Sequence, residues 1–176
     1  MKKLNICALL LAATMMLLSE VSVAQDKMSN KRLDEIVRHL DENAEGRPGF
    51  WSLTIENVGL QVVTDENANR MRIVSPILKT ENLDEATLYR LMQANFDTAL
   101  DVRYAIANGI LWSTFIHPLE SLDDEAFLIA LGQTVNAVIT YGSSYSSGLL
   151  SFRGGDSQSI LQRDLIERLK KKGKEI

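Results

Sequence analysis

The chain has 176 residues, a formal net charge of −4 and a single cysteine. That length is enough for one domain with a substantial core. The acidic balance speaks against nucleic acid as a partner, because a basic face is the usual footprint there, and one cysteine excludes an internal disulfide.

Lys2 and Lys3 precede an apolar run over 6–18, and Ser22-Val23-Ala24 places small residues where a signal peptidase reads. This pattern predicts a secretory signal over 1–24, cleaved after Ala24, and a periplasmic or secreted location. The run is shorter than the ~20 residues a spanning helix needs, so no stable membrane span is expected after cleavage. Cys7 leaves with the leader, and residues 25–30 read as a flexible N-terminus.

Leu33, Ile36, Val37 and Leu40 recur at i, i+3, i+4, i+7 and predict a helix, with Ser29 or Asn30 as cap and Gly46, Pro48 and Gly49 as its end. Residues 50–56 alternate, with Trp51, Leu53 and Ile55 opposite Ser52, Thr54 and Glu56. Asn57 and Gly59 mark a bend before a second strand over 60–64. A polar loop over 65–69 leads to a third strand over 70–77, with Arg70 and Arg72 opposite Met71 and Ile73. Pro76 has no N–H to donate and marks an edge or an end.

Asn82 reads as the cap of a second helix with a buried stripe of Leu88, Leu91, Met92 and Phe96. Asn95 lies beside that stripe and needs a hydrogen-bond partner there. Two strands over 102–107 and 110–117 flank Asn108-Gly109, a strong hairpin signal because both turn residues tolerate positive φ. Ser121 reads as the next cap, followed by a core stripe of Phe127, Ala130, Leu131, Thr134, Val135 and Val138. Residues 142–148 read as a loop, 149–152 as a short strand or docked tail, and 157–172 as a last helix with lysines at its C-terminal end.

The count predicts an α+β, two-layer domain. It has an antiparallel sheet of about five strands with helices packed on one face, in the order α-βββ-α-ββ-α, plus a C-terminal helix. The single domain covers 31–152 and the helical tail 153–176.

This order resembles the type III secretion chaperone fold (Tir-chaperone-like) and its YbjN-like relatives. Leu88, Leu91, Met92, Asn95 and Phe96 look like that group's helix with its terminal asparagine. The strands over 102–116, with Pro118-Leu119 after them, and the helix over 127–141 look like the parts that follow. The resemblance implies a non-enzymatic protein that binds polypeptide, often as a homodimer. The leader and the tail after Tyr141 are outside that pattern.

No residue set signals catalysis, a metal or a cofactor. His39 reads as a solvated histidine beside Glu35 and Glu42, and His117 has no nucleophile beside it. The serines of 142–148 lack a nucleophile elbow. Large side chains are more informative, since two strands carry them on both faces: Phe50 opposite Trp51, and Trp112 opposite Leu111 and Phe115. Helices cover one face, so the other needs a cover. Phe50, Trp51, Leu53, Leu111, Trp112 and Phe115 are therefore the candidate partner-binding residues, for a protein partner or a second copy. One alternative is a small-ligand or enzyme site at the 142–148 loop using His117, Arg103 or Arg153. Another is that the tail helix covers the second sheet face.

Overall fold

A computed structural model describes residues 27–97, 99–141 and 160–175. Residues 1–24, 142–148 and 149–152, on which the expected leader, loop and short strand or docked tail fall, lie outside the described residues. The elements are α1 (Asn30–Leu40), β1 (Glu45–Arg47), β2 (Phe50–Ile55), β3 (Val58–Asp65), β4 (Arg70–Lys79), α2 (Glu85–Asp97), β5 (Arg103–Ala107), β6 (Ile110–His117), α3 (Asp124–Ile139) and α4 (Ile160–Gly173). One six-stranded sheet runs β1-β2-β3-β4-β6-β5, and every neighbouring pair is antiparallel. The two local strand groups thus join through β4 and β6.

Turn chemistry sets the hairpins. Glu56 and Asn57 both adopt positive φ, as do Asn108 and Gly109, the geometry a two-residue turn needs to match strand twist. β1 is the strand absent from the predicted order. At three residues it is too short to show alternation, and its glycines read as a helix end. Gly46 is required there, since a Cβ would lie 2.2 Å from the Phe50 carbonyl oxygen. Pro76 falls within β4, but β3 pairing ends at Val74 opposite Gln61, so it lies where β4 has become an edge on that side. A bulge follows between Pro76 and Leu78.

The helix caps fall where a side chain meets extended backbone. Ser29 accepts from the Arg32 N–H and starts α1. Asp84, not Asn82, caps α2, accepting from the Thr87 N–H at 2.6 Å, while Asn82 lies in a short 3-10 turn. Asp123, not Ser121, caps α3, accepting from the Ala126 N–H at 2.6 Å. In both cases the carboxylate has the better position and adds a charge the helix N-terminus favours.

The helices occupy one face. α3 lies over β4 and β6, α1 over β2 and α2 against β5. The main core joins Trp51, Leu60, Met71 and Ile73 of the sheet to Leu33, Ile36, Phe127 and Leu131 of the helices. A smaller cluster of Leu91, Ala94, Tyr104 and Leu111 lies under α2.

α4 packs on α3 and α1 rather than across the uncovered sheet face. Leu165 and Leu169 are buried in the main core. Gly132 lets the two helices approach, since a Cβ there would lie 2.6 Å from Ile166 Cγ1. Lys172 Nζ donates to the Leu40 carbonyl at 2.8 Å, and Arg168 pairs with Glu56 at 2.6 Å. The tail therefore does not cover the second face with its described residues. No described helix is long and apolar enough to cross a membrane.

Candidate interaction surfaces

α2 sits at the end of the sheet with β5 beneath it. Leu91 and Ala94 form its buried stripe, packed on Tyr104 of β5 and Leu111 of β6 with Ile77, Leu78 and Ala137 beside them. Asn95 fixes the helix's rotation. The Tyr104 N–H donates to Asn95 Oδ1 at 2.7 Å, and Asn95 Nδ2 donates to the Tyr104 carbonyl at 3.0 Å. The partner Asn95 needed is thus the backbone of the terminal strand.

Apolar residues remain on the outer side of α2. Leu88 is 37% exposed, Tyr89 67%, Met92 47% and Phe96 64%. The expected buried stripe is corrected accordingly: of Leu88, Leu91, Met92 and Phe96, only Leu91 is buried. Exposed Leu100 and Ile106 lie at the same end of the sheet. Leu100 holds the left-handed conformation, at φ 56°, and Arg103 donates to its carbonyl and to that of Val102. An outer set of Leu88, Tyr89 and Met92 beside the inner Leu91 stands in the sequence, and it is wider than the stripe this helix buries at the end of the sheet.

The six candidate partner-binding residues divide by sheet face. Trp51, Leu53, Leu111 and Phe115 point under the helices and are core, so they offer no surface. Phe50 is exposed on the opposite face and Trp112 is half-buried there. Trp112 Nε1 donates to the Ala107 carbonyl at 3.1 Å. Buried Trp51 instead donates to Asp34 Oδ1 at 2.7 Å. Arg38, and then Trp51, hold the Asp34 carboxyl below the usual carboxylate range.

Of the candidate reactive groups, His117 and Arg103 do not converge. His117 lies on the helix side of β6, where its ring stacks on Phe115, while Arg103 pairs with Thr114 on the opposite face. Arg153 is outside the described residues. His39 Nε2 donates to the Lys172 carbonyl at 2.9 Å and so fastens α4. Among the described residues there is no group of three or more potential metal ligands. A cleft of about 850 Å³ lies between the N-termini of α1 and α3. Arg32 crosses it to Asp124 at 2.7 Å and pairs with Glu35 of its own helix at 2.9 Å, so its central charges satisfy one another.

No family model matches the chain, and no curated protein matches it in sequence. Among solved structures, a chain of the ExsC–ExsE complex superposes with a TM-score of 0.50 at 14% identity, over 68% of this chain and 98% of that one. The Yersinia pestis type III secretion chaperone SycH, in complex with a stable fragment of YscM2, gives a chain that superposes with a TM-score of 0.50 at 16% identity, over 64% of this chain and 98% of that one. The chain has a type III secretion chaperone-like fold. The neighbours are covered almost end to end, so what exceeds the chaperone-like fold here is an addition to it.

Proposed function

We propose that this chain is a non-enzymatic, chaperone-like protein that binds other polypeptides and acts as a homodimer in the periplasm or outside the cell. The observation that carries the reading is the outer face of α2, where Leu88, Tyr89 and Met92 stay 37–67% exposed on a well-anchored helix. Contiguous exposed apolar surface of this kind marks a contact site. The fold neighbours support the polypeptide-binding part, since both solved structures hold two proteins together. The leader over 1–24 supports the location.

In a homodimer the two α2 helices pack about a two-fold axis, each covering the other's outer face with the same residues. Each side chain that goes from half-exposed to buried contributes on the order of 1 kcal/mol. Association itself costs about 4–15 kcal/mol. The dimer therefore needs the whole stripe, and one charge placed within it is enough to break it. The test is to capture partners from an envelope fraction with the purified protein as bait, beside Met92→Glu. Specific partners retained by the wild-type protein and a solution mass of two chains support the reading. A strict monomer that retains nothing contradicts it.

A further inference from the structure

The sheet face opposite the helices carries a pattern of its own. Residues directly across antiparallel strands share a face. The registers Arg47–Phe50, Phe50–Val63, Val63–Arg72 and Arg72–Ile116 therefore form one straight row across five strands. Apolar side chains occupy three of its five positions and arginines the other two. Phe50 is 40% exposed and Ile116 55%, and both arginines are exposed. The adjacent row ends at Arg103, opposite Thr114.

The charge of this face runs against that of the chain. The whole sequence is at −4, yet Arg47, Arg70, Arg72 and Arg103 all lie on this side. Its carboxylates sit away from the row: Glu45 on β1, Asp41, which accepts from the Thr54 N–H of β2, and Asp65, which stands directly across from Arg70 and accepts from the Ala68 N–H at the β3–β4 turn. Arg47 and Arg72 make no ion pair among the described residues. With strands about 4.8 Å apart, these two guanidinium-bearing positions stand about 14 Å from each other, with Phe50 and Val63 between them.

We propose that the open sheet face binds a segment of another polypeptide in which apolar side chains lie between carboxylates. The apolar residues of that segment cover Phe50, Val63 and Ile116, and its carboxylates pair with Arg47 and Arg72. The planar fork of arginine suits bidentate pairing with carboxylates. This inference rests on the polypeptide-binding reading and names the partner's chemistry. The surface is separate from the outer side of α2, so client and second copy do not compete for it.

The test uses two synthetic amphipathic peptides of identical leucine pattern, one with glutamate and one with lysine at the polar positions. Trp112 lies on the face and reports occupancy by fluorescence, and backbone amide shifts locate the peptide. The Leu/Glu peptide is expected to bind with shifts along β2, β3, β4 and β6. Reversing two exposed charges, Arg47→Glu with Arg72→Glu, is expected to weaken it about tenfold, and the reversed protein is expected to take the Leu/Lys peptide instead. Equal affinity for wild-type and reversed protein overturns the proposal. So does absence of binding. Shifts confined to α2 overturn the site and leave polypeptide binding standing. Phosphatidylglycerol vesicles that bind through the same arginines while the Leu/Glu peptide does not would overturn it in favour of a membrane surface.

Discussion

Asn95 and Tyr104 are joined by a reciprocal pair of hydrogen bonds, 2.7 Å from the Tyr104 N–H to Oδ1 and 3.0 Å from Nδ2 to the Tyr104 carbonyl. The side-chain amide takes the part of a neighbouring strand. It closes the edge of β5 at that residue and holds α2 with Leu91 inward and Met92 outward. Asn95→Ala leaves two backbone groups without their partner and is expected to cost about 1–3 kcal/mol, read from urea unfolding. Asn95→Asp keeps the acceptor but turns an oxygen toward the Tyr104 carbonyl, so it is expected to be no better than alanine.

The two tryptophans are expected to separate cleanly. Trp51 is fully buried, and Trp51→Ala is expected to cost about 3–5 kcal/mol of stability. Trp112 is half-buried on the open face, and its loss is expected to cost less than half as much. Thermal or urea unfolding of both variants checks this. Equal costs would contradict the assignment of faces.

Gly132 sets the approach of α4 to α3. Gly132→Val places a branched side chain where Ile166 Cγ1 would be 2.6 Å from the first added carbon. Overpacking of this kind costs about 1–3 kcal/mol, and faster proteolysis at Arg168 and Lys170 would report the released helix. Gly132→Ala is expected to cost less than valine but not to be neutral. Its Cβ meets Cγ1 of a β-branched side chain that is stiff at χ1, and the recovery of about 1 kcal/mol of helix propensity offsets only part of that.

Much of the architecture follows from local signals. Alternation marked β2, β4 and β6, and Asn108-Gly109 marked the β5–β6 hairpin, because those signals depend only on neighbours in the chain. Two other features depend on what lies across space. The sequence shows that Phe50 and Trp51 point to opposite faces, but the helices' choice of face decides which is core. The same holds for α2. Leu88, Leu91 and Met92 are alike as residues, and only the helix's place at the end of the sheet with the Asn95 anchor exposes two of them. The caps of α2 and α3 fell two residues away from those expected, because asparagine or serine and a nearby aspartate compete for one position, whereas Ser29 caps α1 as expected.

Acid is expected to weaken the fold in part through Asp34. Hydrogen bonds from Arg38 and then Trp51 hold its carboxyl below the usual carboxylate range. A depressed carboxyl stabilises the folded state at pH above its unfolded value, and that contribution is lost as pH falls through the lower folded value. Asp34→Asn removes it. The stability gap between wild-type protein and Asp34→Asn is expected to be constant near neutral pH and to narrow below about pH 4. Urea midpoints measured across that range check the slope.

The proposed pairing rests on the outer face of α2, and the solution mass of the purified protein reports it. Sedimentation equilibrium of the wild-type protein and of Met92→Glu, each near 50–100 µM by order of magnitude, compares the paired and broken states at the concentrations where dimers of modest affinity form. Two chains are expected for the wild type and one for Met92→Glu, with unchanged circular dichroism. A wild-type protein that stays a single chain at the highest concentration, or a Met92→Glu dimer as tight as the wild type, would contradict the pairing.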